Sequence, residues 1–140
     1  GTSQIHVRIA TGAILAGLAA DGNFRKYLDS VLKEGKPSRF LSEQRQILEE
    51  AAQGLRGMAS DDVRERTAEN LMIITARYLC SLLYERALLK LKDMPVLERW
   101  RADCRAYLVD STAISRGCLY RIANAEDASS QKSLHNLQSV

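Results

Sequence analysis

The sequence predicts an all-α protein: an up-and-down helical bundle, four-helix-bundle-like, preceded by an N-terminal linking helix. Apolar residues recur at spacings of three and four through every long segment, which is the period of a helix with one buried face. The composition is 46% hydrophobic and 26% charged, with only 2 Pro and 8 Gly in 140 residues, as a strongly helical globular chain would be. No stretch alternates in the manner of a strand. The length suits one domain with a real core and is too short for two ordinary ones.

The first helix is expected from about Gln4 to Ala20, with Ile5, Ile9, Ile14, Leu15 and Leu18 apolar and Ala10, Gly12, Ala13, Ala16 and Gly17 small. Small residues at that density let a neighbouring backbone approach, and only Arg8 brings a charge, so this helix calls for partners on nearly every side. Thr2 or Ser3 is a natural N-cap, its side-chain oxygen taking one of the orphan N–H groups of the first turn. A helix start with glycine in front of it also offers N–H donors and close backbone approach to a phosphate or another anion.

Asp21-Gly22-Asn23 breaks the first helix, being residues that accept turn dihedrals cheaply. A short amphipathic helix follows over about Phe24 to Lys33, with Phe24, Tyr27, Leu28, Val31 and Leu32 on one face, and Gly35 and Pro37 stop it. The third helix is expected from about Ser38 to Arg56. Its buried stripe is Leu41, Ile47 or Leu48, Ala51, Ala52 and Leu55, and its solvent face is Glu43, Arg45, Gln46, Glu49 and Glu50.

Ser60-Asp61-Asp62 is a strong helix start, a capping group plus two negative charges at the positive end of the helix dipole. From Val63 the pattern runs to Leu91, about 45 Å of helix, and leaves only a narrow polar strip. This is the predicted central helix. Asp93-Met94-Pro95 opens the last one, over about Val96 to Asn124, with Val96, Trp100, Cys104, Tyr107, Leu108, Ile114, Cys118, Leu119 and Ile122 at helical spacing. So short a link makes the two long helices antiparallel. The tail from Glu126 is rich in Ser, Gln and Asn and is expected to be loose.

Charge and composition exclude several function classes. Twenty Lys+Arg against 17 Asp+Glu give a net +3, but basic and acidic residues alternate and no basic stripe suited to nucleic acid emerges. Arg99, Arg101, Arg105, Arg116 and Arg121 form the most basic face, read as solvated or subunit-facing. Cys80, Cys104 and Cys118 lack ligand or disulfide spacing and read as reduced core residues, so no metal is expected. His6 and His135 lie at opposite ends, and no Glu-x-x-His pair supports a di-iron reading of Glu65, Glu69 and Glu85. Glu65, Glu69, Arg66 and Arg77 read as helix-face charges, and Tyr78, Tyr84, Trp100, Tyr107 and Tyr120 as core. No signal peptide or membrane-spanning run is visible, which points to a reducing, cytoplasmic location.

Gly1-Thr2-Ser3-Gln4-Ile5-His6 resembles the second half of the Glu-Gly-Thr-x-x-Ile-Gln segment of acyl-CoA dehydrogenases, flavoenzymes that introduce a Cα–Cβ double bond into acyl-CoA thioesters. His6 stands where the family usually carries glutamine. The helix over Ile9 to Leu15 and the Asp21-Gly22 break are similar to the helix and break downstream of the motif in longer members, which carry an extra C-terminal helical domain.

The resemblance implies that residues 1–22 end a catalytic domain, that 23–124 form the extra bundle, and that 125–140 are a tail. It also implies that Gly1 leaves room beside the substrate thioester and that Thr2, Ser3 and Gln4 contact FAD. The catalytic glutamate would stand immediately before Gly1, so this chain alone is expected to have no dehydrogenase activity. The implied partners are acyl-CoA, an electron-transferring flavoprotein and further copies of the chain in a homo-oligomer. The bundle's implied role is structural, within fatty acid metabolism. The rival reading is a free-standing helical interaction or dimerisation module without catalysis.

Overall fold

The computed structural model describes residues 2–91 and 94–127. Five helices lie wholly within them, α1 (Thr2–Gly17), α2 (Asn23–Leu32), α3 (Arg39–Arg56), α4 (Asp61–Leu89) and α5 (Met94–Ala123), residues 125–127 are helical as well, and among the described residues there is no strand. The predicted all-α bundle is the observed one. Helix α3 pairs with α4 through Ser38–Glu85 at one end and Leu55–Arg64 at the other, so the two run antiparallel. Helix α4 pairs with α5 through Arg77–Ser111 and Tyr84–Tyr107, again antiparallel. The result is an up-and-down core of three mutually packed helices, with α1 laid against α4 and touching α2.

The caps explain where the helices begin. Ser38 and Ser60 are the N-caps of α3 and α4, their hydroxyls accepting from Leu41 N at 3.2 Å and Val63 N at 3.3 Å. Asp61 and Asp62 occupy the first turn of α4, where their charge opposes the helix dipole. The cap expected of Thr2 or Ser3 is different: α1 already includes both residues in its first turn, so neither stands at the cap position.

The core is continuous. Leu41, Ile47, Leu48, Ala51, Ala52 and Leu55 of α3 are all buried, against Leu71, Ile74, Tyr78 and Leu82 of α4 and Cys118 and Ile122 of α5. Short α2 adds Leu28 and Val31, and the turn after α1 adds Leu18. Leu18 and Leu28 are each 1% exposed, so each contributes about 1.5–3 kcal/mol by leaving water.

Several side chains depart from the sequence expectation. Cys104 and Cys118 are buried as predicted, but Cys80 is exposed, because it follows buried Tyr78 by two residues and a helix turns it about 200° from that core position. Trp100 and Tyr120, read as core, are 43% and 71% exposed. Tyr120 follows buried Cys118 by two residues, which on a helix turns it about 200° away from the core. Tyr78 is buried, and Tyr84 and Tyr107 pack on one another with ring centroids 6.0 Å apart.

Candidate functional site

The resemblance directs attention to the start of α1. Thr2, Ser3 and Gln4 lie together in its first turn, and the Gln4 side chain is exposed. Gly1, and the side chains of Thr2 and Ser3, lie outside the described residues. His6 is exposed on the same helix, and His135 lies outside the described residues.

Besides its packing against α4, α1 is tied to the bundle at its C-terminal end, where the last carbonyls of a helix have no intrahelical partner. Arg56 of α3 donates to Leu15 O. Arg25 of α2 donates to Leu18 O from Nε at 2.9 Å and Nη2 at 2.7 Å, and its Nη1 and Nη2 also reach Glu49 at 3.0 and 2.8 Å. Guanidinium charge at these carbonyls also suits the negative end of the helix dipole. Arg45 completes the group, with Nε on Glu49 at 3.1 Å and Nη2 toward Asp29 at 3.5 Å.

Burial alone would raise the Glu49 carboxyl, but hydrogen bonds and charge from Arg25 and Arg45 outweigh it and hold it below its ordinary value. The sequence assigned Arg45 and Glu49 to a solvated face. Both are half-buried because α2 folds back over that side of α3, a contact 16–24 residues apart in sequence that local periodicity does not encode.

The α1–α2 junction is tight as well. A Cβ on Gly22 would stand 2.0 Å from Gly17 O and 2.7 Å from Ala16 O, so only glycine lets α2 start where it does. Its φ of −70° is open to any residue, and the requirement is one of space.

Seated in this way, α1 presents two different sides. Thr11 and the inner parts of Val7, Ile14 and Leu15 face the bundle. The opposite side carries Ile5 at 59% and Ile9 at 65% exposure, with Ala13 and Ala16 also exposed. Between α1 and α4 lies a cleft of about 180 Å³, walled by Val7, Thr11, Gly12, Leu15 and Ala68 and rimmed by Gln4, Arg64 and the Arg8–Glu65 ion pair.

Elsewhere the chemistry is structural. Glu65 pairs with Arg8, Arg66 with Asp62 and Arg77 with Asp110, and the Arg77 guanidinium also sits 5.5 Å over the Tyr107 ring. Among the described residues no group of three or more His, Cys, Asp or Glu could hold a metal ion. The α5 arginines 99, 101, 105, 116 and 121 are all exposed, with Arg116 paired to Glu43. No helix among the described residues is long and apolar enough to cross a membrane. Comparison with models of known protein families, with curated proteins and with solved structures found no match in any of the three.

Proposed function

We propose that the chain is the C-terminal part of an FAD-dependent acyl-CoA dehydrogenase, with the α2–α5 bundle as a structural or oligomerisation domain and α1 as its link to the catalytic body. One observation carries this reading beyond the resemblance of Gly1 to His6: α1 is fastened to the bundle on one side and leaves Ile5 and Ile9 bare, amid small residues, on the other. A helix apolar on both sides is built to lie between two layers. In this reading the second layer is the flavoprotein body of the same polypeptide, or of a neighbouring copy in the homo-oligomer. Thr2, Ser3 and Gln4, in the first turn of that helix, then lie near FAD, Gly1 near the thioester, and the base precedes Gly1.

The test is the polypeptide extended upstream of Gly1 by its own message. The proposal expects a glutamate immediately before Gly1, a yellow protein with bound flavin, and bleaching of the flavin absorbance on adding an acyl-CoA. An upstream frame without a flavoprotein body, or a colourless product, contradicts it.

The second reading, a free-standing helical interaction or dimerisation module, rests on a different observation. Helices α3, α4 and α5 close one core, and α3 and α4 carry their own serine caps. A colourless, sharply melting 140-residue chain that self-associates in solution favours that reading.

A further inference from the structure

We propose that the outward stripe of α4 is the surface on which two copies of this chain pair, helix against helix, antiparallel about a two-fold axis close to Cys80. The proposal gives a surface to the oligomerisation that either reading above assigns to the bundle, and it rests on that part of them. Helix α4 is packed on by α1, α3 and α5, with Leu71, Ile74, Tyr78, Ser81 and Leu82 turned inward. One side of it is left to solvent. Along that side lie Ile73, Ala76, Cys80, Leu83 and Ala87, bounded by Glu69 and Lys90. Ile73 is half-buried and the others are exposed, Leu83 at 57%. From Glu69 to Lys90 the steps alternate four and three residues throughout, the 3.5-residue period by which one helix keeps its seam on another.

A helix face turned to water elsewhere in this chain looks different. The solvent side of α3 carries Ser42, Gln46, Glu50 and Gln53. On α4 the nearest charges, Arg77 and Arg86, stand on the flanks of the stripe and are spent on Asp110 and Glu34.

The two ends of the stripe name the occupant and its direction. Glu69 and Lys90 carry opposite charge, stand about 32 Å apart along the helix at 1.5 Å per residue, and have no ion-pair partner among the described residues. A second copy laid parallel would set Glu69 on Glu69 and Lys90 on Lys90. Laid antiparallel, it sets each Glu69 opposite the other copy's Lys90, twice over by symmetry, with the uncharged stretch between them facing itself. The midpoint of the two charges falls between Leu79 and Cys80, which brings the two Cys80 thiols close to the axis. Ala76, Cys80 and Ala87 are small enough for close approach, and Ile73 and Leu83 supply the side chains that leave water.

The experiment follows sedimentation of the 140-residue chain and its variants from micromolar to near-millimolar concentration. The chain is expected to pass from monomer to dimer and no further. Leu83→Glu, at an exposed position and with unchanged circular dichroism, should stay monomeric. Lys90→Glu and Glu69→Lys should each weaken the dimer roughly ten-fold, since two attractive exposed pairs become two repulsive ones. The double variant, with the charges exchanged, should return to the parent's affinity. A bismaleimide of short span should join two parent chains through Cys80, the exposed thiol, and leave Leu83→Glu unjoined. Alkylation of Cys80 still goes to completion through the free chain and slows as concentration rises. A chain that is monomeric at every concentration overturns the proposal together with the oligomerisation it rests on. A dimer that survives Leu83→Glu, or that ignores the single reversals, or that the exchanged charges fail to restore, keeps the oligomerisation and overturns this surface.

Discussion

Replacing Gly22 by alanine tests how α1 is fixed to the bundle, because the added methyl has a definite place to go. That Cβ would stand 2.0 Å from Gly17 O, 2.4 Å from Gly17 C and 2.7 Å from Ala16 O, all of them backbone. No side-chain rotation relieves such a contact. The end of α1 must move away from the start of α2, disturbing the two Arg25 bonds to Leu18 O and the seat of Leu18 in the core. Overpacking of this kind costs about 1–3 kcal/mol, and the upper part of that range applies where backbone must yield.

Gly12 is the matched control on the same helix. Its added Cβ meets nothing within 4 Å, and glycine to alanine within a helix is worth about 0.8–1 kcal/mol in favour of alanine. The two substitutions are therefore expected to differ in sign and by about 3 kcal/mol overall. Urea unfolding measures this directly, with the midpoint moving down for Gly22→Ala and up for Gly12→Ala at constant slope. Equal midpoints, or a Gly22→Ala variant as stable as the parent, refute the claim that the α1–α2 junction is closely packed.

Two other predictions concern ionisable groups. The Glu49 carboxyl is held below its ordinary 4.5, so the stability it gains from Arg25 and Arg45 is complete above about pH 4.5 and is lost as pH falls through the folded value. Unfolding from about pH 6 to 3 should show the parent losing more stability than Glu49→Gln, with a difference near neutrality of about 1 kcal/mol for a partly exposed group. Burial, with Glu85 adding to it, pushes the Cys104 thiol up to about 11, and burial also raises Cys118. Both therefore stay as unreactive thiols at about pH 8, while exposed Cys80 is open to reagent. Mass spectrometry after alkylation should find one adduct per native chain and three in denaturant.

The number, order and type of the helices were legible because each carries an uninterrupted apolar period and because two serines and the Asp21-Gly22 pair punctuate it. The polar interior was less so. Gln44 is fully buried and exchanges hydrogen bonds with Ser81 at 3.1 and 3.2 Å, and Ser111, Thr112 and Ser115 fill the inner side of α5. A stripe drawn from apolar residues alone passes over them. Yet Gln44 lies three residues after Leu41 and four before Leu48, and Ser111 and Ser115 follow Leu108 by three and seven, so position rather than polarity was the available signal.

At the candidate site, the sequence showed that α1 needs partners on nearly every side, and Ile5 and Ile9 bear the consequence. Which side the bundle would cover was not legible, since it depends on packing against α4 and on contacts distant in sequence, Arg25 and Arg56 reaching carbonyls 7 and 41 residues away. The cleft beside Thr11 depends on how α1 lies over α4, which no local pattern specifies.

The central claim, that the outer side of α1 is an interface, is tested most directly by carbene footprinting of Ile5 and Ile9 in the 140-residue chain and in the polypeptide extended upstream. The account predicts heavy labelling of both isoleucines in the shorter chain and several-fold less in the longer one. Equal labelling in the two would contradict it.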